Sequence, residues 1–242
     1  MQDTPGTDLD SMYGQFENFI QKFFSEREAS YQYGELFQPL YFDLCEFVGR
    51  KGKRIRPLLL MMSYRALGGQ KSFDHESVLR CAIALELLHS FILIHDDVID
   101  RSEKRRGLPT FHKLVEQRLN HLHGQERVGQ NVAVVMGDMV FAMAVRSLLE
   151  ADLPSEIRDK LMSRFLGYAT DTGCGEIYDI LLGVRDITRV SQEDIVKMYH
   201  LKTTLYTFEA PCAMGAILAG ASESKVKRLC EMAEPLGLAF QI

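Results

Sequence analysis

The sequence predicts an all-α protein, and three observations predict it. Apolar residues recur at three- and four-residue spacing. The segments carrying them are longer than strands use. Sustained two-residue alternation is nearly absent. In chain order, "PLLLMMSYRALGG" has Pro57 where a first-turn proline is tolerated, and Gly68-Gly69 closes the helix. "VLRCAIALELLHSFILIHDDVID" and "RVGQNVAVVMGDMVFAMAVRSLLEA" are apolar around most of their circumference, as helices in the middle of a bundle are. Pro154 suits the start of the next helix, and "SQED" offers Ser191 and Asp194 as a capping box. Pro211 and Pro235 fall inside helical patterns and are expected to kink or break them. The longest polar connections are residues 101–110 and 119–128. No repeat, low-complexity tract or linker interrupts the chain. One domain over residues 1–242, of about eight to ten helices, is the expectation.

Composition narrows the function. With 46% hydrophobic residues, the 242-residue chain has ample material for a core. Its 28 basic and 33 acidic residues leave a net charge of −5, which argues against coating nucleic acid or an anionic membrane. Cys45, Cys81, Cys174, Cys212 and Cys230 are scattered and form no CxxC pair, so reduced thiols are expected rather than a disulfide frame or a zinc site. The polar, acidic start "MQDTPGTDLD" is not a signal peptide. No run reaches the roughly 18 apolar residues of a membrane span. A soluble, cytoplasmic protein is the expectation.

The chemistry lies in charge clusters. "HDDVIDRSEKRRG" ends an apolar helix in Asp96, Asp97 and Asp100, then adds Arg101, Lys104, Arg105 and Arg106. At about 100° per residue, Asp96 and Asp100 lie about 40° apart and share a face with Asp97. Like charges this close resist ionising unless a cation compensates. Arginine and lysine pairing is one solution. Bridging by a divalent metal is the other, and oxygen-only ligands favour Mg²⁺, which completes its shell with water and phosphate oxygens. "RKGKRIRP" gathers Arg50, Lys51, Lys53, Arg54 and Arg56 just before a helix, where backbone N–H groups and the dipole also favour phosphate. A nucleic-acid patch is the rival, but no aromatics interleave. "HLKTT" places Lys202 beside Thr203 and Thr204, a pairing that suits a phosphate oxygen. Together these describe a charged mouth on an oily body, suited to a diphosphate head and a hydrocarbon tail.

From about residue 35 to residue 242 the chain resembles the trans-polyprenyl diphosphate synthases, with their isoprenoid-synthase helical bundle around a central cavity. "GKRIRP" at 52–57, "HDDVIDRSEKRRGLPT" at 95–110, "KTT" at 202–204 and "GLAFQI" at 237–242 carry the likeness. The resemblance implies Mg²⁺ on Asp96, Asp97 and Asp100, with Arg105 on an allylic diphosphate (dimethylallyl, geranyl or farnesyl). It places Lys53, Arg56, His89 and Arg106 on isopentenyl diphosphate, and Lys202, Thr203 and Gln241 on the allylic side. It implies a linear product and a homodimer. In that family, residues just upstream of the aspartates act as a floor to the tail pocket. Phe91, with Leu88 and Ile92 beside it, resembles geranylgeranyl (C20) synthases, so Phe91→Ala is expected to lengthen the product. On the helical wheel Leu88 and Ile92 point nearer the Asp96 face than Phe91 does. A non-catalytic subunit of this fold and a terpene cyclase are the alternatives; the second diphosphate site implied by GKRIRP and RRG argues against a cyclase.

The sequence departs from that pattern in three places. It stops at Ile242, just before the family's second aspartate-rich motif, so a fragment lacking its C-terminal helices is expected, with activity of this stretch alone in doubt. "GEIYD" has Glu176 where the family usually has glutamine. Lysine, not glycine, precedes Gly52.

Overall fold

A computed structural model describes residues 5–28, 33–69, 73–120 and 127–241. The chain is all-α apart from one two-stranded hairpin among these residues. It divides into two compact units, Met1–Lys53 with Glu86–Arg146, and Arg54–Leu85 with Ser147–Ile242. The division falls inside two helices, α4 (His75–Ile99) and α6 (Val128–Leu149).

The first unit holds α1 (Pro5–Glu28), α2 (Gln38–Gly49), the end of α4, α5 (Phe111–Arg118) and most of α6. In α1, Met12, Phe16, Phe19, Ile20, Phe23 and Phe24 recur at helical spacing and are buried. Each such aromatic, once buried, contributes about 1.5–3 kcal/mol. The α1 stripe meets α2 where the Tyr41 hydroxyl donates to the Phe24 carbonyl oxygen at 3.1 Å. Phe47 of α2 then packs on Phe111 of α5 at 5.6 Å between ring centroids.

Residues 101–110, read from sequence as a polar connection, contain a hairpin. Strand β1 (Lys104–Arg105) pairs antiparallel with β2 (Leu108–Pro109). The two turn residues, Arg106 and Gly107, have φ of 54° and 80°. Positive φ at both positions is the signature of a type I′ turn, whose twist matches the strands it joins. The connection 119–128 lies largely outside the described residues.

The second unit is built from α3 (Ile55–Ala66), the start of α4, α7 (Ser155–Gly183), a short 3₁₀ turn (Ile187–Arg189), α8 (Gln192–Tyr199), a π-helix (His200–Glu209), α9 (Ala210–Leu218) and α10 (Glu223–Gln241). Every residue of α9 is buried. Its Gly215 lets the α3 backbone approach, since a Cβ there would lie 2.4 Å from the Leu60 carbonyl oxygen. The capping box is formed: Ser191 Oγ accepts from the Asp194 N–H at 3.1 Å, and the Ser191 N–H donates to Asp194 Oδ2 at 3.0 Å.

The two prolines behave differently from each other. Pro235 does not break α10, which runs through it. Pro211 stands in the first turn of α9, directly after the ten-residue π-helix, whose end is marked by a bond from the Ala210 N–H to the Leu205 carbonyl. A proline has no N–H to continue the usual ladder, so the wider i→i+5 pattern gives way at this point.

Helices α4 and α6 are, by length and composition, apolar enough to cross a membrane, which the count of uninterrupted apolar residues had not suggested. In α4, however, 72% of the most apolar window is already buried inside the protein. Helices hydrophobic all round belong to protein cores as well as to bilayers.

Candidate active site

In the first unit, α4 delivers the aspartates and the hairpin delivers a cation to them. The helix closes with the Asp100 N–H on the Asp96 carbonyl at 2.8 Å, and Ser102 N–H then reaches the Asp97 carbonyl at 2.9 Å. Thr110 Oγ1 donates to the Ser102 carbonyl at 2.9 Å and fixes the far end of the hairpin. Arg105 is thereby turned back on α4. Its Nε lies 3.0 Å from both Asp97 oxygens, and its Nη2 lies 2.7 Å from Asp97 Oδ1 and 3.0 Å from Asp96 Oδ2. This is a fork grip of the kind only arginine makes.

The Asp97 side chain is 1% exposed. Burial pushes its carboxyl up from the ordinary range, and the Arg105 fork works against that. Burial alone would lower Arg105, but the hydrogen bonds and charge of Asp97, then of Asp96, raise it. Asp100 is exposed at the helix end. Among the described residues no three carboxylate, imidazole or thiol groups converge as a ready metal cage. The donor set still suits Mg²⁺, which needs only one or two carboxylates and takes its other ligands from water and phosphate.

The basic motif is less uniform than its sequence suggests. Arg50 is a structural residue: it pairs with Glu46 at 3.0 Å and donates to the Pro109 carbonyl at 2.7 Å, tying α2 to the hairpin. Lys51 and Lys53 are exposed. Gly52 is where Arg106 lies, since a Cβ on Gly52 would meet Arg106 Nη1 at 2.8 Å. The Tyr13 hydroxyl holds the Gly52 carbonyl at 3.0 Å. The neighbours Arg105 and Arg106 thus diverge, one to the aspartates and the other to the glycine of the basic motif.

Further up α4, His89 is half-buried and Leu88 is wholly buried. Ile92 is half-buried. Phe91 stacks edge-on against His95 at 4.5 Å and tilts against Phe141 of α6 at 5.2 Å. Gly137 makes room for His95, whose Nε2 lies 3.1 Å from the Val134 carbonyl.

In the second unit, Arg54 precedes α3 with φ of 47°, and Arg56 follows within the first turn. Arg56 is 8% exposed, and its Nη2 donates to Thr207 Oγ1 at 2.6 Å. Its guanidinium sits 4.3 Å from the Tyr206 ring centroid. Its Nε is buried without a hydrogen-bond partner among the described residues. Lys202 Nζ lies 2.9 Å from Glu176 Oε2 and 2.5 Å from Asp179 Oδ2. Gly175 permits this approach, because a Cβ there would overlap the Lys202 backbone nitrogen at 2.2 Å. Thr203 is half-buried. Gly237 of α10 packs on Thr204, and Gln241 lies one turn further on, half-buried. Ile242 lies outside the described residues.

Sequence reasoning missed Thr207, Tyr206, Asp179 and the glycine contacts at 52, 175 and 237. The three-residue spacing of Glu176 and Asp179 was the available signal for two of the partners of Lys202.

The sequence pattern of the polyprenyl synthetase family matches residues 39–242. A geranylgeranyl diphosphate synthase of Sulfolobus acidocaldarius is 33% identical over 193 residues, 79% of this chain and 52% of that protein. A geranylfarnesyl diphosphate synthase of Aeropyrum pernix is 31% identical over 194 residues, 79% of this chain and 55% of that protein. The crystal structure of the Corynebacterium glutamicum geranylgeranyl pyrophosphate synthase, complexed with isoprenyl diphosphate and magnesium, superposes with a TM-score of 0.89 at 31% identity. That match covers 96% of this chain and 66% of the other. The chain spans about half the length of these curated relatives. With its family pattern, its helices and its two arginines behind the aspartates, the chain belongs to the polyprenyl synthetase family.

Proposed function

We propose that the protein is a prenyltransferase that joins isopentenyl diphosphate to an allylic diphosphate and releases a linear trans-polyprenyl diphosphate, geranylgeranyl diphosphate (C20) being the favoured product. The observation that carries this reading is the divergence of Arg105 and Arg106. One hairpin aims two adjacent cations at two places, the aspartates and the basic motif, as two diphosphates require. Kinship with a geranylgeranyl and a geranylfarnesyl diphosphate synthase supports the reaction class and leaves product length to the pocket.

In this reading Asp96, Asp97 and Asp100 would hold Mg²⁺, with Arg105 bonded to Asp97 and Asp96 beside them. The ion when bound would neutralise the charge that grows on the departing pyrophosphate. Arg105, Lys202, Thr203 and Gln241 would hold the allylic diphosphate. Lys53, Arg56, His89 and Arg106 would hold isopentenyl diphosphate. The residues act by positioning and by stabilising charge on the leaving group, while apolar α4 keeps water from the allylic cation. The double bond of isopentenyl diphosphate attacks that cation, and loss of a proton completes the product. Phe91, set between His95 and Phe141, would close the tail pocket.

We also propose that residues 1–242 form one domain and that the protein is a cytoplasmic homodimer. The test is product formation from labelled isopentenyl diphosphate with Mg²⁺ and dimethylallyl, geranyl or farnesyl diphosphate. C20 product is expected, and no product with any primer would leave a non-catalytic subunit. Phe91→Ala should extend the products by at least one five-carbon unit on chromatography. An unchanged distribution would remove Phe91 from the floor.

A further inference from the structure

Two carboxylates from one face of α7 meet Lys202: Asp179 accepts its hydrogen bond, and Glu176 pairs with it by charge. Glu176 and Asp179 are three residues apart and so are neighbours on the helix. Their oxygens lie 2.9 and 2.5 Å from Nζ. Lys202 and Glu176 are 20% and 17% exposed, so solvent and salt screen the pair weakly. The approach is set by backbone contact, since Gly175 seats against the Lys202 nitrogen. One carboxylate is enough to neutralise an ammonium group. With a second beside it, a diphosphate that recruits Lys202 must draw it from both.

We propose that Glu176 is a positioning residue that competes with the allylic diphosphate for Lys202 and thereby weakens the grip on that substrate. The inference rests on the placement of Lys202 at the allylic diphosphate given above. A glutamine at this position would keep the length and the packing of the side chain. It would remove one of the two carboxylates beside the lysine and keep Asp179, and a neutral amide releases an ammonium to phosphate more readily than a carboxylate does.

The test is calorimetric titration of inorganic pyrophosphate, with Mg²⁺ present, into the full chain and its variants. Glu176→Gln is expected to bind about fivefold more tightly, equivalent to about 1 kcal/mol. The gain should vanish on a Lys202→Gln background, and Glu176→Asp, which keeps the charge, should bind like the unaltered protein. Unchanged or weaker binding in Glu176→Gln, where Lys202→Gln alone weakens binding, would overturn the inference and leave the reading of Lys202 standing. An equal gain on both backgrounds would also overturn it, since Glu176 would then repel the anion directly. If Lys202→Gln alone has no effect, the reading of Lys202 falls and the inference falls with it.

Discussion

Each unit places a cation between two carboxylates, and the two do so by opposite means. In the first, Arg105 grips a buried aspartate with a planar fork from a hairpin built for that purpose. In the second, Lys202 reaches its carboxylates as a point charge from a helix packed against another helix. A fork on a buried partner is a fixed part of the architecture, since removing either member leaves a charge without compensation. An ammonium on a flexible stem can change partners. Under the proposed function the same pairing of charges is a brace in the first unit, where Arg105 would meet a diphosphate with Nη1 outside the fork, and a releasable contact in the second.

The largest test of that contrast is Arg105→Met. With Asp97 left in a 1%-exposed position, we expect about 2–4 kcal/mol of lost stability. The urea midpoint would report it, alongside loss of turnover. A variant as stable as the parent would mean that the fork is not a brace. Lys202→Met should lose turnover with a smaller shift of the midpoint, since Glu176 and Asp179 are more exposed than Asp97.

Gly175→Ala probes the second unit by geometry instead of charge. The added methyl would overlap the Lys202 backbone nitrogen, so about 1–3 kcal/mol of destabilisation is expected, together with weaker allylic-substrate binding. Unaltered stability would show that the helices can part without cost.

Thr207→Val asks whether Arg56 resembles Arg105 in needing its partner. Removing the hydroxyl 2.6 Å from Nη2 should cost about 1–2 kcal/mol. It should raise KM for isopentenyl diphosphate several-fold while leaving the allylic KM unchanged. Thr207→Ser should restore both values.

The smallest effect concerns Glu209, a half-buried carboxyl acted on by Glu234 rather than by an arginine. Burial first, then Glu234, raises it from 4.5 to about 7. The folded protein therefore holds this proton more tightly than the unfolded chain does. Its contribution to stability is full below pH 4.5 and is lost as the pH rises towards 7. Glu209→Gln should gain about 1 kcal/mol at pH 8 and nothing at pH 4, read from denaturant midpoints at the two pH values. Equal gains at both would assign the effect to packing.

Much of this was legible in the sequence, because helices and charge clusters are written in local patterns. The spacing of apolar residues gave α3, α4 and α6, and Ser191 with Asp194 gave the start of α8. The hairpin was not legible. Its turn is Arg106-Gly107, and an arginine at positive φ is not what the Asn-Gly signal for such turns anticipates. The π-helix was hidden too, although Thr204, Leu205, Tyr206 and Thr207 are buried in succession, a run that a 3.6-residue period does not place on one face. Gly175 and Gly237 lie inside helices, where a glycine reads as a weakness. Their purpose appears only once the neighbouring backbone is known.

The hairpin that carries Arg105 has a consequence for the motif as a whole. Arg105 closes a two-residue strand and Arg106 opens its turn at φ 54°, so the two headings part at the strand-to-turn junction and not through the length of the connection from α4. A residue added before Lys104 would lengthen the approach to the hairpin and leave the divergence of the two arginines unchanged.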